Sequence, residues 1–366
     1  MIYKQYSLPE YPVTDDMWEE LKRETRPIVV YGMGNGADKL FSRLEKYGIT
    51  PSDVFASDGF VRGHSFRGMR VKSFSEIKNT YEDFVILLSF ASNRQDVLDM
   101  LRNIDEEYDM YVPDMPIADE AEYFDMTFYN ENYDEILQAY NSLDDDISKN
   151  AFSAIIRYKL SGRMSYLMNC YSTTEEIYSA LPCNHIAKYI DVGAYNGDTL
   201  REAVKFFPSL SEAVAIEPDS KNYKRLLKYK DTVVKPVVKC INAAASDRIG
   251  DGIIASAGNR NSTISATASY EHKDMAVSLI TIDSLDFSCD FIKYDVEGAE
   301  YEALVGSHET IMRNSPTLLV SLYHRSRDIF FLINYLKGKY PEYTMKLRRL
   351  MCLPAWEIDL ILTRTR

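Results

Sequence analysis

The sequence predicts an α/β protein built on two mainly parallel sheets. Two strand–glycine–helix openings carry that prediction, one starting at Ile28 and one at Tyr189. The alternation of short apolar runs with amphipathic stretches adds a second line of support, because it implies right-handed crossovers between parallel strands. A third is the C-terminal end, where Tyr343 to Leu347 and Glu357 to Leu362 read as a closing antiparallel pair.

In the N-terminal piece, Ile28 to Tyr31 (IVVY) is too short for a helix and rich in β-branched residues. It runs into the glycine turn Gly32-Met-Gly34-Asn-Gly36. Leu40, Leu44 and Tyr47 follow at helical spacing, and Gly48 is placed to stop that helix. Val54-Phe-Ala reads as a second strand ending near Asp58, and Phe84 to Ser89 as a third. Ser92 is positioned to cap the next helix, which carries Val97, Leu98 and Leu101 on one side. This predicts a Rossmann-like domain over residues 1–118.

Residues 119–185 contain no clear strand pattern and predict a mostly helical connector. Asp144-Asp-Asp146 before Ile147 suits the positive end of a helix dipole. The remaining piece, 186–366, has strands at Tyr189–Val192, Ala213–Ile216, Val237–Ala243, Phe291–Tyr294 and Leu318–Leu322. Helices fit at Thr199–Phe206, Ser220–Lys228 and Tyr301–Met312.

Composition bounds the function. The chain has 366 residues, a prior for two domains, and a net charge of −13. An acidic surface repels phosphate backbones, so nucleic-acid binding is disfavoured. Five cysteines with no C-x-x-C spacing fit reduced thiols in a cytoplasmic protein. The N-terminus lacks the pattern of a signal peptide, and no stretch approaches 18 uncharged apolar residues.

The chemistry concentrates in the third piece. The loop Asp191-Val-Gly193-Ala194-Tyr-Asn-Gly197-Asp198 lies between a strand and a helix. Its glycines are expected to let a ligand approach the backbone. Its two carboxylates would repel a pyrophosphate, but suit the ammonium and sulfonium of S-adenosylmethionine. Glu217, at the end of the next strand, can accept both ribose hydroxyls. Ser246 and Asp247 follow the third strand, where a side chain can meet the adenine edge. Asp295, Glu297 and Glu300 follow the fourth. Asp191, Gly193, Ala194, Gly197, Asp198, Glu217, Ser246, Asp247 and Asp295 form the candidate cofactor set.

With those residues in view, the third piece resembles the FkbM-type methyltransferases over about residues 185–366. The likeness rests on DVGAYNGDT, IEPD (216–219), AAASD (243–247), ITIDSLDF (280–287), IKYDVEGAEYEALVGS (292–307) and SLYHRSRD (321–328). It implies a class I methyltransferase-type Rossmann fold with S-adenosylmethionine as donor. It also implies O-methylation of a sugar, nucleotide sugar, glycan or polyketide-type acceptor, which is a form of carbohydrate modification. By position, Asp191, Gly193, Gly197 and Glu217 match the family's cofactor positions, and Asp295 and Glu297 its acidic motif. The resemblance does not extend to the first 185 residues.

A sugar hydroxyl needs help to lose its proton. His324, after the fifth strand, is the candidate base as a neutral imidazole, with Asp295 as its catalytic partner. A divalent cation on Asp295, Glu297 and His324 is the alternative, although no H-x-H or H-E-x-x-H spacing supports zinc. Arg260, Ser262, Glu297 and Tyr323 are the candidate acceptor contacts. The glycine turn at 32–36 with Asp58 reads either as a nucleotide pocket or as a docking or homodimerisation domain. Two other classes therefore stand beside the methyltransferase. One is an oxidoreductase using a dinucleotide in the first domain, and the other is a non-catalytic cofactor-binding module.

Overall fold

The computed structural model of the chain describes residues 4–61, 63–118, 122–256, 262–265 and 273–364, and the side chains of these except 254–275. Strand β1 (Ile28–Tyr31) is buried at every residue, as a parallel strand covered on both faces must be. It is joined by β2 (Asp53–Ala56), β3 (Lys72–Ser73), β4 (Val85–Leu88) and β5 (Asp109–Tyr111) in the order β3-β2-β1-β4-β5. All four pairings are parallel. Helices α1 (Met17–Arg23), α2 (Asn35–Lys46), α3 (Phe74–Thr80) and α4 (Gln95–Glu107) complete this unit. The chain passes from β1 to β2 on one side and later returns to β4 on the other. The switch in winding direction therefore lies between β1 and β4.

Ser92 does not cap α4, which begins at Gln95 after Arg94. Its backbone instead exchanges two hydrogen bonds with Leu353, at 2.8 and 3.0 Å. A backbone bridge to the C-terminal half thus replaces the expected cap.

The middle region forms α5 (Met126–Glu131), α6 (Tyr133–Asn141), α7 (Asp146–Ser161), α8 (Ser165–Met168) and α9 (Thr174–Ser179). Among its described residues there is no strand. Asp145 caps α7 by accepting from Ser148 N at 2.7 Å. Its neighbour Asp144 accepts from Met345 N at 2.6 Å. Arg349 is 1% exposed and donates to the carbonyls of Leu167 and Cys170. These helices therefore form a layer on the C-terminal strands. One apolar cluster runs from Val29 through Phe152 to Ile190 and Leu360, so all three pieces share a core.

The second sheet contains β6 (Lys188–Val192), β7 (Glu212–Ile216) and β8 (Val237–Ile241). Four further strands form a separate sheet in the order β9-β12-β10-β11: β9 (Ala244–Ala245), β10 (Gly250–Ser256), β11 (Ser262–Ser265) and β12 (Lys273–Ile280). The second sheet then resumes with β13 (Phe291–Tyr294), β14 (Thr317–Ser321), β15 (Tyr343–Arg349) and β16 (Ile358–Arg364). Its order is β8-β7-β6-β13-β14-β16-β15, and only the last two pairings are antiparallel. Its direction switches between β6 and β13. The helices are α10 (Asp198–Phe206), α11 (Ser220–Lys230), α12 (Glu300–Val305), α13 (His308–Asn314) and α14 (Asp328–Lys339).

Two expectations change here. The helix predicted over 301–312 is two helices, α12 and α13, broken at Gly306-Ser307. A Cβ on Gly306 would lie 2.0 Å from the Ser246 carbonyl oxygen, so a second backbone passes too close for any other residue. The segment before β13, where the sequence pattern gives no strand, contributes strands to the four-stranded sheet. Ser262 opens β11 opposite Ser256, while Arg260 lies outside the described residues. All five cysteines are free thiols. Among the described residues, no helix is long and apolar enough to cross a membrane.

Candidate active site

The switch point between β6 and β13 opens into a cavity of about 430 Å³. Ligands of open parallel sheets bind at this kind of place, beyond the carboxyl ends of the strands. The β6 loop supplies Gly193, Tyr195, Asp198 and Thr199; β7 ends in Glu217; and Ala243, Ala244 and Ala245 follow β8. Beyond β13 stand Asp295, Val296 and Glu297, and the C-terminal pair adds Glu357 and Asp359. Asn93 reaches the same cavity from the N-terminal unit.

Glu217 is 6% exposed. Its two oxygens accept from Tyr195 N and Asp219 N, each at 2.9 Å, which fixes the carboxylate across the loop. Burial raises its pKa to about 8 despite those two donors. Each oxygen keeps a further lone pair for a ligand hydroxyl.

Asp191 does not reach the cavity. It is fully buried and accepts from Thr199 Oγ1 at 2.6 Å, so it holds the start of α10 from below. Burial lifts its pKa to about 6, and Lys293 opposes that rise. Ala194 is likewise buried outside the cavity wall. Ser246 and Asp247 also lie away from it, with Ser246 Oγ donating to Asp247 at 3.1 Å. The alanines before them form the wall instead.

The loop glycines also meet a packing requirement. A Cβ on Gly193, at φ +91°, would sit 1.8 Å from the Asp295 carbonyl oxygen. One on Gly197, at φ +87°, would sit 2.6 Å from the Tyr229 ring. Protein atoms already demand these glycines, and Gly193 also lines the cavity.

Lys293 is a site residue that sequence reasoning missed. It lies directly across from Asp191 in the β6–β13 pairing and is 9% exposed. Its Nζ donates to Asp295 Oδ2 at 2.7 Å. Burial disfavours its charge, but Asp295, Asp191 and Asp359 outweigh that and raise its pKa. Asp295 also accepts from Tyr323 OH at 3.1 Å. Burial alone would raise the Asp295 pKa, yet Lys293 and His324 bring it down to about 2. Asp359, also missed, is 8% exposed and lines the cavity. Burial raises it to about 7 against the pull of Lys293.

His324 does not match the neutral base expected of it. It is 1% exposed and absent from the cavity wall. Its Nδ1 lies 3.0 Å from Glu300 Oε1, and its Nε2 lies 3.5 Å from both Asp295 and Glu297. Burial lowers its pKa, but Glu300, Glu297 and Asp295 reverse this and raise it to about 10. These carboxylates favour its imidazolium form. Glu300 Oε1 also accepts from Val296 N at 2.8 Å, which shapes the turn after β13. In that turn Glu297 takes φ +54° and Gly298 φ +97°. Among the described residues, Asp295, Glu300 and His324 bring one donor atom each within 4.8 Å of one another. Glu300 thus replaces Glu297 in the expected trio. The imidazolium already supplies a cation to these carboxylates.

The cavity is therefore strongly acidic. Among the described residues, Asp198, Glu202, Glu217, Asp295, Glu297, Glu357 and Asp359 line it, against the single lysine Lys293. That balance fits a cationic ligand and opposes a pyrophosphate. Such a lining suits the ammonium and sulfonium charges of S-adenosylmethionine.

Residues 191–347 match the family described as Methyltransferase FkbM domain. Among solved structures, the chain is similar to methyltransferase FkbM from Methylobacillus flagellatus KT. That likeness has a TM-score of 0.69 and 19% identity, and covers 98% of this chain and 94% of the other. It is a likeness of fold, and it extends through the N-terminal sheet. An rRNA methylase from Streptococcus thermophilus aligns with 52% of this chain and 95% of its own at a TM-score of 0.34 and 12% identity. No curated protein sequence matches the chain.

Proposed function

We propose that the methyltransferase FkbM domain carried by residues 191–347 is S-adenosylmethionine-dependent and O-methylates a small sugar, nucleotide-sugar or glycan-type molecule. The observation that carries this reading is Glu217, held by two backbone N–H groups at the mouth of an acidic switch-point cavity. A carboxylate so fixed suits a ribose diol. Tyr195 and the three alanines after β8 offer the uncharged wall that an adenine requires. Asp198, at the start of α10, suits an ammonium group.

When bound, the donor supplies a methyl group on a sulfonium sulfur that leaves as a neutral thioether. The protein must then align an acceptor hydroxyl with that methyl and take its proton. Asp359 is the carboxylate suited to take the proton, since it lines the cavity and titrates near neutrality. Asp295 acts as a positioning residue, because it is fixed to Lys293 and Tyr323. His324 and Glu300 hold the turn that carries Asp295 and Glu297.

Mass spectrometry of sugar, nucleotide-sugar and glycan-precursor pools with isotopically labelled donor tests the reading. A labelled methyl on oxygen is expected. A methyl on nitrogen or carbon overturns the O-methyl assignment, and no calorimetric binding of S-adenosylhomocysteine overturns the donor.

A further inference from the structure

A second cavity, of about 700 Å³, opens at the other switch point, between β1 and β4. Its N-terminal wall consists of Met33, Asn35 and Gly36 after β1, and Ser89, Phe90 and Ala91 after β4. Its opposite wall belongs to the methyltransferase half: Tyr195, the start of α11, Pro354 and Trp356. Tyr195 and Asn222 line both cavities, so the two crevices meet. A molecule seated in the second has a short path to the acidic one.

The two cavities have opposite charge. Among the described residues the second carries Lys221 and Arg225, with Lys39 already donating to the carbonyls of Pro116 and Ile117, against one carboxylate, Asp219. Asp219 is already committed, since it accepts from Lys221 N and Asn222 N as the cap of α11. Lys221 and Arg225 have no carboxylate within ion-pair distance among the described residues. On a chain of net charge −13, such a basic concentration is a local reversal. The N-cap of α2, Gly34, makes no side-chain hydrogen bond, so the first turn of that helix also presents backbone N–H groups there. Phe90, Met115, Pro116 and Trp356 add flat apolar walls. The volume lies within the range of about 300–1,000 Å³ usual for small-ligand sites.

We propose that this second crevice is the acceptor site and takes a phosphorylated acceptor, with the phosphate of a nucleoside-linked hydroxyl compound facing Lys221, Arg225 and α2. The proposal rests on the donor reading of the first cavity only for the word acceptor; the anion site stands on its own lining. Division of charge between the crevices keeps the two ligands apart. Cationic donor is drawn to one and anionic acceptor to the other, and they meet at Tyr195.

The test is calorimetry on the full chain with uridine 5′-diphosphate, which has no adenine, with glucose 6-phosphate as a second arm. S-adenosylhomocysteine serves as the donor probe. Both probe classes are expected to bind together. The double variant K221E/R225E is expected to lose about tenfold or more in uridine 5′-diphosphate affinity, the loss of one charge-assisted hydrogen bond or more. Its affinity for S-adenosylhomocysteine should stay within twofold. Tighter binding of the diphosphate than of the sugar phosphate supports a nucleotide-linked acceptor, and the reverse supports a simple phosphorylated one. No binding of either, competition between diphosphate and S-adenosylhomocysteine, or equal diphosphate affinity in the variant overturns the proposal. Tighter binding of NAD than of the diphosphate also overturns it, in favour of a dinucleotide site. Diphosphate binding without S-adenosylhomocysteine binding leaves the anion site intact and removes the methyl-donor reading instead.

Discussion

His324 Nδ1 lies 3.0 Å from Glu300 Oε1, and both side chains are 1% exposed. The same Glu300 oxygen accepts from Val296 N, so a single buried carboxylate ties the loop after β14 to the turn after β13. Asp295 and Glu297 project from that turn. The pair therefore governs where the acids of the cavity stand without touching the cavity itself.

Glu300→Gln is expected to destabilise the protein by about 3–5 kcal/mol, the usual effect of breaking one side of a buried ion pair. Chemical denaturation measures it. The sign of the pH dependence follows from His324, whose folded pKa of about 10 lies above its ordinary 6.5. The stability it contributes is complete below pH 6.5 and is lost as the pH rises towards 10. The gap between wild type and His324→Gln should accordingly narrow over that window. A gap that widens with pH would show that His324 is buried neutral.

Glu217→Ala is expected to weaken S-adenosylhomocysteine binding by about tenfold or more, the equivalent of one hydrogen bond to a charged group. Burial holds Glu217 protonated up to about pH 8. A ligand diol that prefers the carboxylate releases that proton, so affinity should rise as the pH approaches 8 and then level off. In Glu217→Gln the profile should be flat over the same range. Equal profiles in the two proteins would remove the ribose role.

Gly193→Ala should prevent normal folding. The added Cβ would stand 1.8 Å from the Asp295 carbonyl oxygen, with φ at +91°. The left-handed backbone alone costs about 1–3 kcal/mol in a non-glycine residue, before the clash is counted. Soluble yield and melting temperature report it. A variant that melts within a degree of wild type would mean that β6 and β13 can separate freely.

Much of this site was legible in the sequence, though its division of labour was not. Apolar runs and glycine turns located β1, β6, β7 and β13 because a central parallel strand has to be apolar on both faces. Glu217 followed from its place at the end of β7. Lys293 and Asp359 escaped because each sits inside a strand that otherwise reads as core. Only the register that sets Lys293 opposite Asp191, and the order that brings β16 next to β14, puts them together. The four-stranded sheet was invisible for the opposite reason. Gly250 and Gly252 in β10, and the serines and threonine of β11, lack a strand's apolar alternation. The contacts of Asp191 with Thr199, and of the loop glycines with Asp295 and Tyr229, were not legible because they depend on how the strands and helices pack.

Asp359→Asn separates the proton acceptor from the scaffold. Asp359 accepts from Ser321 Oγ at 3.3 Å and faces Lys293, whose charge Asp295 continues to balance in the variant. A general base contributes about 10²–10⁴-fold to rate, so turnover should fall by about that factor. S-adenosylhomocysteine affinity should stay within twofold, because the donor contacts on the β6 and β7 side are untouched. In wild type, turnover should rise with pH and level off above about 7, where Asp359 ionises. That limb should vanish in Asp359→Asn but persist in Glu300→Gln, which moves the cluster around His324 and not Asp359. If the limb survives in Asp359→Asn, the proton goes elsewhere, and Glu357 and Glu297 become the carboxylates of the cavity to test next.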